Sequence, residues 1–298
     1  MQTATRNWPG GVIPASITPF DDRENIDINA MLTLLHWNLQ QGVEGFFIGG
    51  SSAECFLLTP TERIELFAAA AQVREHAYLI AHVGDISTRQ AECYAREAGR
   101  LGFDALAATP PFYYGFDSAQ VCSYYYDLAQ AAGKPVLIYN FPGNTVKHLN
   151  LADENYVRLL RSGAILGVKH TDQEVYQLER IKHVNPDLIV MNGYDETMVA
   201  GLALGADGSI GSTFNFMYPH YRKIYEAFHN KNIEEARTLQ IKANNIMNTL
   251  CDVGLIPSIK YALSAKGIHC GVPRRPFLPL TDYQKKQIDQ TLAMNLVE

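Results

Sequence analysis

An apolar run that ends on a lysine is the stretch of this sequence best suited to chemistry. Residues 165–171 read Ile-Leu-Gly-Val-Lys-His-Thr, which is typical of a strand buried on both faces. Lysine is almost never buried without a partner or a function. An amine held in an apolar environment has a lowered pKa, so that free base is present to attack a carbonyl. Lys169 is therefore a candidate Schiff-base nucleophile, and the alternative is a lysine whose amine reaches solvent at the rim.

A tyrosine occupies the matching position of the preceding apolar run, residues 136–140. If the two runs are neighbouring strands, the phenol of Tyr139 and the amine of Lys169 face each other at one end of the sheet. A phenol at this place is a candidate proton carrier for a reaction at the amine. The alternative is a buried tyrosine that only hydrogen-bonds a neighbour.

The sequence Gly-Gly-Ser-Ser at residues 49–52 follows another apolar run. Glycines let the backbone approach a ligand closely, and successive N–H groups in such a turn form a concave site for an anion. The hydroxyls of Ser51 and Ser52 add further donors, so the turn is a candidate carboxylate or phosphate site. An ordinary turn between a strand and a helix is the alternative.

Two adjacent acids, Asp195 and Glu196, follow a later apolar run. They could ligate a metal, bind the hydroxyls of a polyol, or lie in the first turn of a helix, where the dipole favours negative charge. His170 beside the candidate lysine suggests a metal, but the other histidines are scattered and are interpreted as structural or exposed. The five cysteines include no Cys-x-x-Cys pair. We therefore expect no metal site.

A repeated architecture has to position these residues, because short apolar runs alternate with amphipathic stretches at intervals of about 25 to 30 residues. The sequence predicts strands over residues 11–19, 45–49, 78–83, 105–109, 136–140, 165–171, 188–192 and 208–212. It predicts helices over residues 27–41, 87–101, 118–132, 152–161, 174–183, 195–204 and 215–228. A further helix is predicted to begin after the cap residue Thr59, which proline and glutamate follow.

Eight alternating units without a break in composition favour an α/β fold, a (β/α)8 TIM barrel over residues 1–230. An open doubly wound sheet is the rival architecture, and it would leave an edge strand. Residues 231–298 are predicted to form two or three further helices packed on the barrel. The catalytic groups of such barrels lie at the carboxyl ends of the strands, which is where the candidate residues described above fall.

The composition argues against several classes of partner. The chain has 298 residues and a net charge of −6, with no basic stripe to neutralise phosphates, which argues against nucleic acid. Residues 1–10 hold no apolar run, so no signal peptide is predicted, and no apolar stretch of about 18 residues would span a membrane. Because the cysteines are also solitary, we expect a cytoplasmic protein that acts on a small metabolite.

Six motifs resemble, in chain order, those of the family of class I aldolases that contains dihydrodipicolinate synthase and N-acetylneuraminate lyase. They extend over nearly the whole chain, at residues 49–54, 109–114, 139–140, 167–169, 192–196 and 208–215. One such motif alone is weak, whereas six in register are specific. The resemblance implies a homotetramer that needs no cofactor, because a covalent imine forms on Lys169 itself.

The resemblance is closest to the lyase branch and implies reversible aldol cleavage of N-acetylneuraminate, a sialic acid, to pyruvate and N-acetylmannosamine. It implies that Lys169 forms the imine with the 2-keto carbon and that Tyr139 moves the proton of the C4 hydroxyl. Ser51 and Ser52 would hold the carboxylate, and Tyr113 would cross into the site of a neighbouring subunit. The residues that would bind the hydroxyl chain are Thr171, Gly193, Asp195, Glu196 and Ser212.

Two positions depart from the family pattern. Asn144 stands where the synthases place an arginine for the carboxylate of their second substrate, and where the lyases tend to keep an apolar residue. Ala53 stands where the motif usually has glycine. Synthase activity is therefore disfavoured, while cleavage of a modified sialic acid or of another 2-keto-3-deoxy sugar acid stays open. A metal-dependent aldolase and a barrel that binds ligand without turnover are the remaining alternatives.

Overall fold

The predicted strands form one parallel sheet in the computed structural model, which describes residues 8–297. The strands are β1 Gly11–Pro14, β2 Gly45–Ile48, β3 Tyr78–His82, β4 Ala105–Ala108, β5 Val136–Asn140, β6 Ile165–His170, β7 Ile189–Asn192 and β8 Gly208–Gly211. From β2 onward each strand pairs with the next, and β8 pairs with β1. An isolated bridge between Ala15 and Phe47 brings the end of β1 to β2. The predicted TIM barrel is therefore confirmed.

Helices connect consecutive strands, cover the outside of the barrel and continue after its last strand. They are α1 Ile28–Gln40, α2 Pro60–Ala70, α3 Thr88–Arg100, α4 Ser118–Ala132, α5 Pro142–Thr145, α6 Glu154–Arg161, α7 Tyr176–Val184, α8 Met198–Ala203, α9 Phe214–His229, α10 Ile233–Val253, α11 Leu255–Ala265 and α12 Asp282–Asn295. The start of α2 is set as predicted, because Thr59 and Glu62 form a reciprocal capping box around Pro60.

Side-chain alternation along the strands separates two apolar layers. The inner layer fills the barrel and includes Phe47, Leu137 and Tyr139, whereas Ile138 belongs to the outer layer between the sheet and the helices. A parallel sheet covered on both faces requires such near-continuous apolar strands. A polar side chain that points into the inner layer is therefore enclosed by apolar neighbours, and Lys169 is such a residue.

β1 is shorter than predicted and ends at Pro14. The N–H groups of Ala15 and Ser16 still donate to the carbonyls of Gly211 in β8 and Phe47 in β2, at 2.8 and 2.9 Å. Farther along, the backbone N–H groups find partners outside the sheet. Ile17 N–H donates to the Asn215 side chain at 3.3 Å, and Phe20 N–H donates to the Cys270 carbonyl at 3.1 Å. The segment therefore packs onto α9 and onto the chain after α11 instead of continuing the ladder. The other seven strands agree with the predicted ones to within one residue at each end.

Three helices, α10, α11 and α12, follow the barrel, as the sequence predicts. One face of α10 is buried against its neighbours through residues such as Ala243, Ile246 and Leu250, and α10 packs on both α9 and α12. The division of the chain into units 1–230 and 231–298 stays a prediction. Within residues 8–297, no helix has the length and apolar character that a membrane crossing requires. Residues 1–7, part of the segment in which no signal peptide is predicted, lie outside the described residues.

Candidate active site

Lys169 of β6 lies beside Tyr139 of β5, its partner in the parallel register. The lysine side chain points into the barrel and is only 4% exposed, so its amine does not reach solvent at the rim. Its nitrogen lies 4.0 Å from the centre of the Tyr139 ring and 4.5 Å from that of Phe47. Two residues earlier, Gly167 lets β7 approach, because a Cβ there would lie 1.9 Å from the Ile189 carbonyl oxygen.

The amine of Lys169 has little to stabilise its positive charge. Burial lowers its pKa from 10.5 to about 7, and the negative charge of Asp195 opposes this shift only in part. Within residues 8–297 its nitrogen forms no ion pair, unlike that of Lys260, which lies 2.8 Å from a carboxylate oxygen of Glu54. A large fraction of Lys169 is therefore free base at neutral pH, as a nucleophilic amine requires.

The phenol of Tyr139 is buried at the same end of the barrel. Burial raises its pKa to about 12, although the nearby hydroxyls of Ser51 and Thr171 oppose the increase. Its ring stacks on that of Phe141, with centroids 5.7 Å apart and an angle of 13° between the planes. The edge of Phe47 packs at the same centroid distance. These contacts hold a protonated phenol between the lysine and two hydroxyl groups.

The turn after β2 presents two hydroxyls near the phenol. Ser51 and Ser52 lie in a single 3-10 turn that follows Gly50. Both glycines are needed, because Gly49 has a φ of +72° and a Cβ on Gly50 would lie 2.5 Å from the Phe47 ring. The two serines are half-buried, so a ligand in the barrel mouth can reach them.

Thr171 and Gly193 meet where β6 and β7 end. The Thr171 N–H donates to the Asn140 carbonyl at 2.8 Å, and the Gly193 N–H donates to the His170 carbonyl at 2.8 Å. A Cβ on Gly193 would lie 1.9 Å from the Thr171 hydroxyl oxygen, so only glycine fits there without a shift. That hydroxyl is buried and has no hydrogen-bond partner among the described residues. It is a group that a ligand could satisfy.

The Asp195 carboxylate joins the loops that follow β7 and β8. It accepts hydrogen bonds from the N–H of Ser212 at 3.3 Å, from the N–H of Thr213 at 2.8 Å and from the Thr213 hydroxyl. Burial raises its pKa, while these hydrogen bonds and the charge of Lys169 act in the opposite direction. Asp195 therefore fixes the position of the half-buried Ser212 and supplies the nearest negative charge to the lysine.

The helix predicted over residues 195–204 is wrong in its first turn. A 3-10 turn, Asp195–Thr197, comes first and α8 begins at Met198, because the first acid bonds across to the next loop instead of capping its own helix. One oxygen of Glu196, Oε2, is buried without a hydrogen-bond partner among the described residues, and burial raises the pKa of this carboxyl. No three His, Cys, Asp or Glu side chains within residues 8–297 are grouped to hold a metal ion.

A cavity of about 590 Å³ opens beside Ser51. Its lining includes four aromatic side chains and one amide, which belong to Phe56, Phe112, Phe141, Phe277 and Asn144. Tyr113 does not line it, since this side chain is 74% exposed and its ring contacts that of the next residue. Ala53 is buried, and its carbonyl accepts a hydrogen bond from the Thr18 hydroxyl at 2.8 Å. Of the two departures, only Asn144 therefore faces the cavity.

The structure gathers most of the sequence-predicted residues at one end of the barrel and leaves Tyr113 on the surface. Sequence reasoning missed His82, which it grouped with the scattered histidines. This residue is fully buried at the end of β3, and its ring packs 5.7 Å from that of Tyr139. Its place at the carboxyl end of a strand is the signal that could have identified it.

The sequence and the fold of this chain were compared with those of known proteins, and both comparisons find relatives that match nearly the whole chain. The model of the dihydrodipicolinate synthetase family matches residues 8–295. The N-acetylneuraminate lyase of Rhizobium meliloti (strain 1021) is 40% identical over 284 residues, which cover 95% of this chain and 94% of that protein.

Two solved structures are similar over almost their full length. CdNal of Clostridium difficile, crystallised with mannosamine, has a TM-score of 0.93 at 31% identity, covering 97% of this chain and 100% of that one. A catalytic lysine mutant of the sialic acid aldolase of Ruminococcus gnavus has a TM-score of 0.91 at 29% identity, covering 96% of this chain and 95% of that one. With the family model matched from residue 8 to residue 295, this chain belongs to the dihydrodipicolinate synthetase family.

Proposed function

We propose that this protein is a class I lyase that cleaves N-acetylneuraminate reversibly to pyruvate and N-acetylmannosamine. The observation that carries the proposal is the buried amine of Lys169, which has a pKa lowered to about 7 and lies against the ring of Tyr139. Membership of the family, and similarity to proteins named N-acetylneuraminate lyase and sialic acid aldolase, support the choice of substrate.

In this mechanism the free amine of Lys169 attacks the 2-keto carbon of the open-chain sugar acid. Loss of water gives a protonated imine, which accepts the electron pair of the C3–C4 bond as that bond breaks. The C4 hydroxyl loses its proton and becomes the aldehyde of N-acetylmannosamine. The remaining enamine takes a proton at C3, and water hydrolyses the imine to pyruvate and free lysine. The imine is the electron sink, so the proposed reaction needs no cofactor or metal.

Tyr139 serves as the proton carrier in this proposal. Because burial raises its pKa to about 12, the phenol is protonated in the free enzyme. It therefore gives its proton to the aldehyde oxygen in the synthetic direction. In the cleavage direction it accepts the C4 proton while it passes its own proton on, and the hydroxyl of Ser51 near the phenol provides a route.

The surrounding polar groups bind the rest of the sugar acid. The N–H groups and hydroxyls of Ser51 and Ser52 take the carboxylate, in a turn whose glycines allow close approach. The hydroxyl chain lies along Thr171, Gly193, Asp195, Glu196 and Ser212. Support for this placement comes from the buried Thr171 hydroxyl and the Glu196 Oε2, which have no hydrogen-bond partner among the described residues.

A 2-keto-3-deoxy-sugar-acid aldolase is the second candidate, because it would use the same lysine and tyrosine. The exposed amide of Asn144 at the aromatic cavity is the specific observation in its favour, since it alters the surface against which a substituent would pack. The same residue disfavours a synthase, which would require a cation for a second carboxylate.

A panel of substrates with pyruvate release as the readout separates these candidates. The panel contains N-acetylneuraminate, its N-glycolyl analogue and unsubstituted 2-keto-3-deoxy sugar acids. We expect the highest kcat/KM with an N-acylneuraminate. A preference for the unsubstituted acids by more than about tenfold, which corresponds to about 1.4 kcal/mol, would replace the lyase by the second candidate.

We further propose that the protein is a cytoplasmic homotetramer in which Tyr113 enters the site of a neighbouring subunit. The exposed aromatic rings of Tyr113 and Tyr114 at the barrel mouth support an interface there. Sedimentation of the wild type and of Tyr113→Ala tests this arrangement. A monomeric wild type with full activity would rule out a residue contributed by a neighbour.

A further inference from the structure

His82 occupies a position in the barrel that the proposed mechanism does not use. It is the last residue of β3, and its side chain is fully buried. Its ring lies 6.0 Å from that of Phe47 and meets the ring of Tyr139 edge-on at 5.7 Å. These two rings also enclose the amine of Lys169. The imidazole therefore packs directly behind the proposed catalytic pair.

Both ring nitrogens of His82 bond to the backbone of neighbouring strand ends. The N–H of Thr109 donates to Nε2 at 3.2 Å, so Nε2 has to be the unprotonated acceptor. Nδ1 then carries the proton and donates it to the Gly49 carbonyl at 3.0 Å. One tautomer satisfies both bonds, and the imidazole links the ends of β2 and β4 across β3.

Arg63 holds this arrangement from the other side. The guanidinium is fully buried, donates to the His82 carbonyl at 2.7 Å and to the Gly84 carbonyl at 3.0 Å, and stacks on the ring of Tyr94 at 4.2 Å. Burial, and then the charge of Arg63, lower the pKa of His82 well below its ordinary value. Gly84 leaves room for the link, because a Cβ there would lie 2.7 Å from the Thr109 nitrogen.

The two bonded backbone groups stand at the start of functional loops. Gly49 begins the turn that carries Ser51 and Ser52. Thr109 begins the loop that carries Tyr113. We propose that His82 is a positioning residue that fixes the carboxylate-binding turn by its hydrogen bond to the Gly49 carbonyl. This inference rests on the proposed function, since it assigns the turn to the substrate carboxylate.

Two substitutions of His82 each keep one of its two hydrogen bonds and remove the other. In His82→Asn the side-chain amide nitrogen overlies Nδ1 and keeps the bond to Gly49. In His82→Gln the amide group overlies Nε2, so that it meets Thr109 and loses Gly49. His220→Gln is the matched control, because that histidine is also buried and bonded through both nitrogens, to Leu239 and Val297, in the C-terminal part of the chain.

The readout is the rate at which cyanoborohydride traps an imine on the enzyme, with pyruvate and, separately, with acetone, which lacks the carboxylate. We expect His82→Gln to lower the pyruvate rate about 10- to 100-fold, because a displaced turn loses a hydrogen bond to the charged carboxylate of pyruvate. The acetone rate should fall less than about twofold, since acetone has no carboxylate. His82→Asn and His220→Gln should stay within about threefold of wild type for both carbonyls.

An equal loss with both carbonyls, or no loss with pyruvate, would overturn the positioning role. If His82→Gln does not fold, ¹⁵N NMR of wild-type His82 provides an independent test, since a proton on Nε2 instead of Nδ1 would remove the bond to Gly49. Wild-type enzyme that forms no adduct with pyruvate would instead refute the proposed function, so the two failures are distinguishable.

Discussion

Lys169 differs from the other buried lysine because it lacks a close carboxylate partner. Two lysines are buried among the described residues, and Lys260 lies 2.8 Å from Glu54. Lys169 instead lies against two aromatic rings. Burial lowers the pKa of both amines, and the adjacent carboxylate opposes the shift at Lys260. The same residue type is therefore an amine without a carboxylate partner in the barrel and a member of a buried ion pair outside it.

The lowered pKa of Lys169 predicts how imine formation depends on pH. Only the free base attacks a carbonyl, so the rate of trapping with pyruvate should rise about tenfold per pH unit at low pH and level off above about pH 7. Single-turnover trapping with cyanoborohydride across the pH range gives this midpoint. A rate that continues to rise towards pH 10.5, the ordinary pKa of lysine, would show that burial does not activate the amine.

The sequence is sufficient to predict the pairing of Lys169 with Tyr139, because both residues end apolar runs of a repeated unit and parallel strands then place them side by side. It is not sufficient to predict the partners of Asp195. Ser212 and Thr213 lie in the loop after the next strand and carry no signature of this contact. The role of a buried polar residue depends on neighbours distant in sequence, which explains why His82 was also missed.

At the scale of elements, close contact between β6 and β7 shapes the proposed site for the hydroxyl chain. Gly167 lies against the β7 backbone, and Gly193 lies against Thr171. Both contacts exclude a side chain on the glycine. The strand positions were predictable from apolar runs. The short distance between β6 and β7 was not, because it depends on the curvature of the closed sheet. The early end of β1 has another origin, because Ile17 and Phe20, which follow the strand, bond to α9 and to the segment after α11.

Gly193→Ala should impair binding of the sugar more than imine formation. Its Cβ would lie 1.9 Å from the Thr171 hydroxyl oxygen, so the threonine or the loop has to move, at a cost of about 1 to 3 kcal/mol. We expect a higher KM for N-acetylneuraminate and an almost unchanged trapping rate with pyruvate, measured by steady-state and trapping kinetics.

Gly99→Ala is the control for this substitution, because a Cβ at that helical position makes only an ordinary 3.6 Å contact. The double variant Gly193→Ala with Thr171→Ala should recover part of the lost stability, since the clashing hydroxyl is absent. An unchanged KM in Gly193→Ala would mean that the Thr171 hydroxyl does not contact the sugar.

At the scale of the whole molecule, the C-terminal helices hold two active-site loops. Gln240 and Asn244 of α10 donate to the carbonyls of Asp195 and Glu196, each at 3.1 Å. On the other side, the amine of Lys260 in α11 pairs with the buried carboxylate that follows the Ser51 and Ser52 turn. The sequence predicts these helices from their periodicity, but their contacts with the barrel loops span tens to hundreds of residues along the chain.

Glu54 is the link between the C-terminal segment and the turn that carries Ser51 and Ser52. It has a left-handed backbone, with a φ of 58°, and its carboxylate also accepts from the N–H of Arg274 at 2.7 Å. The guanidinium of Arg274 binds Glu62 at the start of α2. A left-handed backbone at a residue other than glycine persists only where neighbouring contacts hold it. At Glu54 these contacts come from Lys260 and Arg274, which are distant in sequence.

Lys260→Met should therefore destabilise the fold by about 3 to 5 kcal/mol, because it leaves a buried carboxylate without its cation. Burial already raises the pKa of Glu54 above its ordinary value of 4.5. A carboxyl whose pKa is raised in the folded state destabilises the fold once it ionises. The loss of stability in Lys260→Met should therefore grow as the pH rises above the ordinary value of 4.5. Denaturant unfolding at several pH values measures it.

Lys182→Met is the control, because it breaks a partly exposed ion pair with Asp207 that contributes about 1 kcal/mol or less. The double variant Lys260→Met with Glu54→Gln should be more stable than Lys260→Met alone, since no charge is left buried. Equal stability of the two single lysine variants would show that the buried pair does not hold the C-terminal segment to the barrel.

Covalent trapping with pyruvate tests whether Lys169 forms an imine with the 2-keto carbon of the substrate. The enzyme is incubated with pyruvate and borohydride, digested and mapped by mass spectrometry. We predict a stable secondary amine on the peptide that contains Lys169, absent from Lys169→Met and from samples without pyruvate. Recovery of unmodified Lys169 peptide, or an adduct on Lys260 instead, would exclude Lys169 as the residue that forms the imine.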